Sequence, residues 1–158
     1  MEGISLRTAQ PKDLDILLQF EQGVVEAERP FESTLKPGTI HYYDIAGLIQ
    51  SNDSELIIAC LGDEVIGSGY ARMEKAKPFQ NYNHHAYLGF MYVKPEYRGK
   101  GVGQKIMEGL MQWSRSKGIR QVRLDVYHDN IPAVRAYEKA GFQKSLVRMN
   151  LTLPDNEL

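Results

Sequence analysis

The chain has 158 residues, 42% of them hydrophobic and 25% charged, which is the composition of an ordinary globular domain. Its net charge of −1 provides no overall field that would attract nucleic acid or a membrane surface. The N-terminus lacks a basic-then-apolar signal pattern, and no apolar run approaches the roughly 20 residues of a membrane helix. The single Cys60 excludes a disulfide framework. We therefore predict one cytoplasmic domain over residues 1–158.

Apolar spacing along the chain predicts an α/β or mixed α+β domain with one central sheet. Strands are predicted for the segments ISLRTAQ, ELIIACL, VIGSGYARMEK, HHAYLGFMYV, IRQVRLDVY and QKSLVRMNLTL. Helices are predicted for PKDLDILLQFEQGVVEAE, YYDIAGLIQS, the run that begins at Val102, and NIPAVRAYEKAG. A tight turn at Gly62-Asp63 joins the second and third strands. We expect Cys60, in the second strand, to be a small buried hydrophobic residue.

The segment YVKPEYRGKGVGQKIM, residues 92–107, combines closely spaced glycines with positive charge at a predicted helix start. A helix N-terminus presents unpaired N–H groups and the positive end of the helix dipole, which together bind anions. Glycines let a phosphate approach these N–H groups, and Arg98 and Lys100 add cationic side chains. From Arg98 to Arg123 the chain has seven basic residues and one acidic residue, Glu108. The segment predicts a site for a ligand with several phosphates; the alternative is a tight strand-to-helix turn with a solvated basic end.

Two common phosphate-binding motifs do not fit this segment. The nucleotide P-loop needs a lysine directly after its last glycine, whereas Lys105 comes two residues after Gly103. The dinucleotide fingerprint fails as well, because its last glycine position is occupied by Gln104 or Ile106, depending on the starting glycine. The ligand is therefore predicted to bind through a different motif.

Two segments of the chain resemble the signatures of the GNAT superfamily of N-acetyltransferases. Arg98-x-x-Gly101-x-Gly103, after MYVKPEY, is similar to the acetyl-CoA-binding motif of this family. The segment NIPAVRAYEKAGF resembles the second signature, with these residues in register: Asn130, Ala133, Tyr137, Gly141 and Phe142. The two segments follow the order and the spacing of the family, and the resemblance covers residues 86–142.

This resemblance implies a GNAT-like acyl-CoA N-acyltransferase fold, with a central twisted mixed sheet of about seven strands, about four helices, and splayed strands four and five. The pantetheine arm of acetyl-CoA would enter between those two strands and pair with exposed backbone. The residues that would contact acetyl-CoA under this resemblance are Met91, Tyr92, Val93, Arg98, Gly99, Lys100, Gly101, Val102, Gly103, Asn130, Ala133 and Tyr137.

Acetyl transfer to an amine needs a neutral amine, aligned reactants, a stabilised oxyanion and a proton for the leaving thiolate. By analogy with the family, the Met91 backbone N–H would bind the thioester oxygen, and Tyr137 would protonate or position the leaving sulfur. A simpler role for Tyr137 is that of a buried aromatic residue on the inner face of its helix. Asn130 would cap the same helix in either case.

The general base is not evident from the sequence. Many members of the family carry a Glu on the strand before the glycines, but AYLGFMYV contains no acidic residue. His85 and Asp125 are the candidates. The alternatives are a solvated His85, an Asp125 paired with Arg123 or Arg120, and a water chain without a dedicated base. Because His84 and His85 are neighbours in a strand and point to opposite faces, no metal site is predicted.

The first third of the chain is predicted to recognise the acceptor, because the family varies there. The candidate contacts, within EAERPFESTLKPGTIHYYD, are Glu28, Arg29, Phe31 and Tyr42. Acidic groups would suit a cationic amine, and Arg29 would suit a carboxylate. An amino-acid-like pocket, a polyamine-like pocket and a solvated loop are therefore all open interpretations.

The sequence thus predicts an acetyl-CoA-dependent N-acetyltransferase that acts on a primary amine of a small molecule or a peptide by direct attack in a ternary complex. No acetyl-cysteine intermediate is expected, because Cys60 lies in a predicted buried strand away from the motif. A homodimer through the terminal strand is an expectation from the family. The alternative function is a non-catalytic acyl-CoA-binding regulatory module. Nucleic-acid binding is disfavoured, because aromatic residues are not interleaved with the basic patch.

Overall fold

The structure is a computed structural model that describes residues 2–156. Its strands are β1 (Ile4–Thr8), β2 (Ser54–Leu61), β3 (Glu64–Lys75), β4 (His84–Val93) and β5 (Gln121–Leu124). Its α-helices are α1 (Leu14–Glu28), α2 (Ile45–Gln50), α3 (Val102–Ser116) and α4 (Ile131–Lys139). Short 3-10 helices lie at Pro11–Asp13, Arg29–Phe31 and Pro95–Tyr97.

The strands form one mixed sheet in the order β1-β2-β3-β4-β5. Neighbouring strands are antiparallel except for β4 and β5, which are parallel and are connected through α3. The predicted mixed α/β class and the four predicted α-helices are therefore confirmed. The turn at Gly62-Asp63 is confirmed as well, and Gly62 has a φ of 59°, in the region that favours glycine.

The number of strands is lower than predicted. We predicted about seven strands, whereas the described residues contain five. The segment QKSLVRMNLTL was predicted to be a strand, but residues 143–156 form neither helix nor strand, and all of them are exposed. An alternating apolar pattern cannot form a strand by itself, because a strand needs a partner for its backbone hydrogen bonds.

The sheet separates two apolar clusters. On one face α1 and α2 pack through a cluster that includes Phe20, Ile45 and Phe90. On the other face α3 contributes Val102, Ile106 and Leu110, which recur every four residues and so lie on one side of the helix. Cys60 is buried in the first cluster, as expected. No helix within residues 2–156 is long and apolar enough to cross a membrane.

Candidate active site

The parallel strands β4 and β5 pair over only the first half of β4. The pairing runs from His85 opposite Gln121 to Leu88 opposite Leu124, where β5 ends. The second half of β4, residues 89–93, therefore has no β5 strand beside it. This is the predicted divergence of strands four and five, and it leaves an edge of backbone that a ligand can pair with.

A bulge interrupts β4 at this divergence. Phe90 and Met91 together stand opposite the single residue Gly69 of β3. Phe90 has a φ of 56° and is the only non-glycine residue with positive φ in the described part of the chain. The buried Ser68 hydroxyl donates a hydrogen bond of 3.1 Å to the Phe90 carbonyl and holds this backbone in place. The extra residue of a bulge turns the neighbouring peptide groups out of the regular hydrogen-bond ladder. The bulge therefore changes the direction of the backbone at Met91, the predicted oxyanion donor.

The glycine loop between β4 and α3 forms an open cradle. Gly99 and Gly101 have φ values of 75° and 84°, and Gly101 caps α3 without any side-chain hydrogen bond. A Cβ atom added at either residue would meet nothing within 4 Å, and one added at Gly103 would meet only Val93 Cγ2, at 3.9 Å. Gly103 is thus required neither by a left-handed backbone nor by packing. The open space in front of the α3 N–H groups fits a phosphate group.

The basic side chains of this segment differ in position. Arg98 Nε donates to the Val93 carbonyl at 2.8 Å, and its guanidinium lies 5.5 Å from the centre of the Tyr92 ring. These contacts hold Arg98 beside the free half of β4. Lys105 Nζ instead donates to the carbonyl of Ile4 at 3.2 Å, so this lysine lies on the β1 side of α3 and not at the cradle.

Helix α4 lies against the start of α3. The Gln104 side chain, in the first turn of α3, donates to the Ala136 carbonyl of α4 at 2.9 Å. Asn130 caps α4, and its side-chain oxygen accepts from the Ala133 N–H at 3.4 Å. The second predicted signature is thereby placed next to the glycine cradle.

Tyr137 is the predicted acid on α4. Its ring packs edge-on against Phe142, with 6.1 Å between the ring centres. Burial raises the pKa of Tyr137 to about 12, and the negative charge of Glu28 adds to this effect. The phenol is therefore protonated at neutral pH and can donate a hydrogen bond, but it is a weaker acid than an ordinary tyrosine.

Glu28, the last residue of α1, lies among tyrosines that come from distant parts of the chain. Burial raises the pKa of Tyr42, Tyr43, Tyr127 and Tyr137, and in each case the charge of Glu28 raises it further. Burial also raises the pKa of the Glu28 carboxyl, although the nearby Tyr42 hydroxyl opposes this shift. That hydroxyl is buried and has no hydrogen bond of standard geometry among the described residues. The site thus holds one partly desolvated carboxylate surrounded by phenols.

A second glutamate of α1 positions the loop that carries two of these tyrosines. Glu21 is fully buried, and its carboxylate accepts hydrogen bonds from the backbone N–H groups of Tyr42 and Tyr43 at 2.8 and 2.9 Å. The His41 ring lies 2.8 Å from the same carboxylate. Sequence analysis missed Glu21. The available signal was an acidic residue on the apolar face of α1, directly after Phe20.

Arg29 also fixes this loop. Its two Nη atoms donate to the carbonyls of Lys36 and Gly38 at 2.9 and 2.6 Å, and its Nε donates to Glu26 at 2.8 Å. Every nitrogen of the guanidinium is therefore engaged within the protein. The structure gives Arg29 a loop-positioning role and no direct support as a contact for a substrate carboxylate.

Phe31, in the 3-10 helix that follows α1, contacts the segment after β5. Its ring stacks on Tyr127, with 6.1 Å between the ring centres and an angle of 20° between the planes. The Tyr127 hydroxyl donates to Glu32 at 3.5 Å. Tyr127 was not singled out in the sequence, where it looked like the end of a strand.

A cavity of about 570 Å³ extends from these tyrosines between α2 and the sheet. Its aromatic and charged lining residues are Tyr42, Tyr43, Asp44, Tyr70, Arg72 and Tyr87. The Arg72 guanidinium lies over the rings of Tyr70 and Tyr87, at 5.7 and 5.5 Å, and is paired with Glu74. Asp125 belongs to the same region, because the Tyr87 hydroxyl donates to it at 3.1 Å.

His85 is not brought together with the other candidates. It lies near the start of β4, six residues before Met91, which corresponds to roughly 20 Å along a strand. Its ring is buried, and Nε2 lies 3.0 Å from Glu74. Within residues 2–156 no group of three or more His, Cys, Asp and Glu side chains is arranged to hold a metal ion.

Solved structures share this fold. A mutant of a Bacillus halodurans protein superimposes with a TM-score of 0.85 at 18% identity, over 95% of this chain and 99% of that one. A predicted acetyltransferase from Clostridium acetobutylicum, solved with acetyl-CoA, superimposes with a TM-score of 0.72 at 19% identity, over 94% and 96% of the two chains.

Sequence relatives carry related activities. An aminoglycoside N(6')-acetyltransferase type 1 of Stenotrophomonas maltophilia is 23% identical over 89% of this chain and 87% of that protein. A thialysine N-epsilon-acetyltransferase of Bos taurus is 44% identical, but the match spans only 36% of this chain and 34% of the relative. The model of the acetyltransferase (GNAT) family matches residues 21–142. The chain therefore belongs to the GNAT acetyltransferase family and is an acyltransferase by that membership.

Proposed function

We propose that the protein transfers the acetyl group of acetyl-CoA to a primary amine of a small, cationic acceptor, by direct attack while both substrates are bound. The observation that carries this proposal is the arrangement at the divergence of β4 and β5. The free half of β4 leads into the open glycine loop, and helix α4 links this loop to Glu28. Ala136 of α4 accepts a hydrogen bond from the first turn of α3, and the next residue, Tyr137, is close enough to Glu28 for its charge to raise the pKa of the phenol.

The donor half is built to bind a phosphorylated ligand through backbone. The N–H groups at the start of α3, with Gly101 and Gly103 leaving space, would hold the pyrophosphate. The free half of β4 would pair with the amides of the pantetheine arm, and the bulge supports Met91 N–H as the donor to the developing oxyanion. Acetyl-CoA, the donor that this family uses, supplies an acetyl thioester whose acyl carbon forms the new amide bond as the thiol leaves.

Glu28 is the base that we propose for the acceptor. An amine arrives as an ammonium ion and must lose a proton before its nitrogen can attack. Burial raises the pKa of Glu28, and the same burial lowers the pKa of an incoming ammonium, so the two approach each other. This assignment replaces the strand glutamate of other family members with a carboxylate from the end of α1.

Tyr137 serves the opposite end of the reaction. Its phenol is protonated at neutral pH, and burial raises its pKa to about 12, which makes it a weaker acid than an ordinary tyrosine. A protonated phenol beside the leaving sulfur therefore donates a hydrogen bond to the developing thiolate, which then takes its proton from water. The hydrogen bond from the Ala133 N–H to the Asn130 side chain fixes the start of α4, the helix that carries Tyr137.

The acceptor class follows from the walls of the cavity. Tyrosine rings favour a cation over their faces, and Asp44 adds negative charge to the lining. Glu28 and Asp125 lie just behind it, next to the lining residues Tyr42 and Tyr87. The charge of Arg72 is offset by its partner Glu74. The volume of about 570 Å³ suits a small molecule better than a folded protein. The relatives named for aminoglycosides and spermine act on amines of this general chemistry.

The test is free-thiol release from acetyl-CoA by the purified protein, against a panel of polyamines, aminoglycosides, amino acids and short peptides. The expected result is turnover with a cationic small-molecule amine and little with acidic or neutral amines. Tight acetyl-CoA binding by calorimetry without turnover on any amine would favour the regulatory module instead. Absence of acetyl-CoA binding would overturn both.

A further inference from the structure

The basic run that follows the glycine loop is divided between the two ends of α3. Arg98 lies beside the free half of β4, just before the start of the helix. Arg115, Lys117 and Arg120 lie at or after its other end, and a helix of 15 residues is about 22 Å long. These three residues are therefore too far from the glycine loop to contact phosphates bound there. The positive charge at this end needs a separate explanation.

A second cavity, of about 480 Å³, lies at this far end of the sheet, where β4 and β5 begin. We call it the distal cavity. Its walls come from the loop between β3 and β4, the start of β4, and the turn between α3 and β5. The hydrogen-bonding side chains of its lining include Asn81, Asn83, His84, Lys117, Arg120 and Gln121. Among residues 2–156, no Asp or Glu lines it. Its lining therefore has the opposite charge to that of the tyrosine cavity, which contains Asp44.

The walls of the distal cavity are held in place by contacts within the chain. Arg123 of β5 donates a hydrogen bond of 2.9 Å from Nη2 to the Tyr82 hydroxyl, which ties the loop after β3 to β5. The Tyr82 ring also packs edge-on against the buried His85, with 6.2 Å between the ring centres. At the base of the loop, the Ala76 N–H donates to the Asn83 carbonyl at 2.8 Å. The cavity is therefore formed without a ligand.

The two cations of the lining are not used by the protein itself. No carboxylate in the described part of the chain forms an ion pair with Lys117 or Arg120. Basic side chains often cap the last carbonyls of a helix. Here the carbonyls of residues 113–115 already accept hydrogen bonds from the backbone N–H groups of residues 117–119. Lys117 and Arg120 are therefore available to an external anion.

We propose that the distal cavity binds a small molecule that carries at least two phosphate or carboxylate groups. Lys117 supplies one cation, and the planar guanidinium of Arg120 can donate two parallel hydrogen bonds to such a group. The amides of Asn81, Asn83 and Gln121 add neutral donors around these charges. A volume of about 480 Å³ lies in the range of small-molecule sites. The proposal does not depend on the acetyl-transfer reaction or on the identity of the acceptor.

The fluorescence of Trp113 tests this proposal. Trp113 is the only tryptophan of the chain, and Lys117 Nζ lies 5.8 Å from the centre of its ring, so a ligand that attracts Lys117 should change its emission. The full chain is titrated with inorganic pyrophosphate and, separately, with citrate. We expect a saturating change with at least one of them, and the tighter probe shows whether phosphate or carboxylate groups are preferred. Sodium chloride at the same ionic strength should give no such change.

Two double variants separate a specific site from general attraction of anions. Lys117→Gln with Arg120→Gln should weaken binding about 10²-fold, because two charge-assisted hydrogen bonds are lost, each contributing about tenfold. Lys139→Gln with Lys144→Gln is the matched control. It removes the same charge from exposed positions at the end of α4 and beyond it, and α4 packs at the opposite end of α3. Affinity should stay nearly unchanged in this control.

Nitrogen-15 NMR of the wild-type chain locates the bound anion without relying on any variant. The side-chain amide signals of Asn81, Asn83 and Gln121 should shift during the titration. Shifts confined to residues 99–103 would show that the anion binds only at the glycine loop, and the proposal would be wrong. The absence of any saturating signal with both anions, or equal weakening in the two double variants, would also overturn it.

Discussion

The proposed donor side and the proposed acceptor side of this site consist of different kinds of group. The donor side is backbone, drawn from one continuous stretch that contains the free half of β4, the glycine loop and the first turn of α3. The acceptor side consists of side chains from the end of α1, the loop before α2, strands β3 and β4, the segment after β5, and α4.

This difference predicts how each side responds to mutation. A backbone site tolerates changes in most side chains but not an added Cβ atom where a ligand must approach. A site of side chains depends on individual functional groups, and on residues such as Glu21 that hold them in place. Substitutions on the acceptor side should therefore change the reaction with the amine, and substitutions on the donor side should change the affinity for acetyl-CoA. Each kind of substitution should have little effect on the other property.

The largest expected effect is that of Glu28→Gln on the acceptor side. Removal of a general base lowers the rate by about 10²–10⁴-fold, and we expect a loss near 10³-fold in kcat/KM for the amine. Burial raises the pKa of Glu28, so wild-type activity should fall as the pH falls through a value above the usual glutamate range. The glutamine variant should lack this acidic limb, because the group that titrates is gone. Steady-state kinetics between about pH 5 and about pH 9 measure both effects.

The control for this variant is Glu26→Gln, two residues earlier on α1. Glu26 is exposed and pairs with Arg29. It should retain activity within a few-fold. An acidic limb that persists in Glu28→Gln would assign the titrating base to another residue, with Asp125 as the next candidate.

Tyr137→Phe is expected to have the next largest effect. Loss of the hydrogen bond to the developing thiolate should lower kcat by about 10- to 10²-fold, since a hydrogen bond to a charged group contributes about 1.5–3 kcal/mol and the ring itself remains to position the sulfur. Tyr127→Phe is the matched comparison, because its hydroxyl contacts Glu32 instead. That variant should raise the KM for the amine and leave kcat nearly unchanged. If both variants lost kcat equally, a specific role for the Tyr137 hydroxyl would be untenable.

The backbone geometry of the proposed donor side was largely predictable from the sequence, because the sequence patterns that indicate it are local. The glycines, the helix start at Val102 and the Asn130 cap each report backbone geometry within a few residues. The bulge at Phe90 had no such signal, since its cause lies in the pairing with β3 and in the Ser68 hydroxyl on that strand.

The acceptor side was only partly predictable because it depends on tertiary structure. Glu28 and Phe31 lie beside tyrosines of this region, so their predicted contact with the acceptor stays a prediction, whereas Arg29 is engaged with loop carbonyls. Tyr127 joins the site only because the end of β5 lies near the acceptor loop. The terminal segment shows the same limit, since its alternation was visible but the strand it predicts requires a partner.

The smallest expected effect, Gly103→Ala, separates the two sides most sharply. The added methyl group would enter the space in front of the α3 N–H groups and weaken one charge-assisted hydrogen bond, worth about 1.5 kcal/mol or roughly tenfold in the Kd for acetyl-CoA. The same change favours the helix, because alanine is better than glycine in a helix by up to about 1 kcal/mol. Neither a left-handed backbone at Gly103 nor a close neighbour opposes the substitution by alanine.

Calorimetry of Gly103→Ala should therefore show weaker acetyl-CoA binding while Tm stays constant or rises. The KM for the amine at saturating acetyl-CoA should not change. A higher Tm with unchanged acetyl-CoA affinity would mean that the phosphates do not contact this turn. The proposed division of the site into a backbone side and a side-chain side would then be wrong.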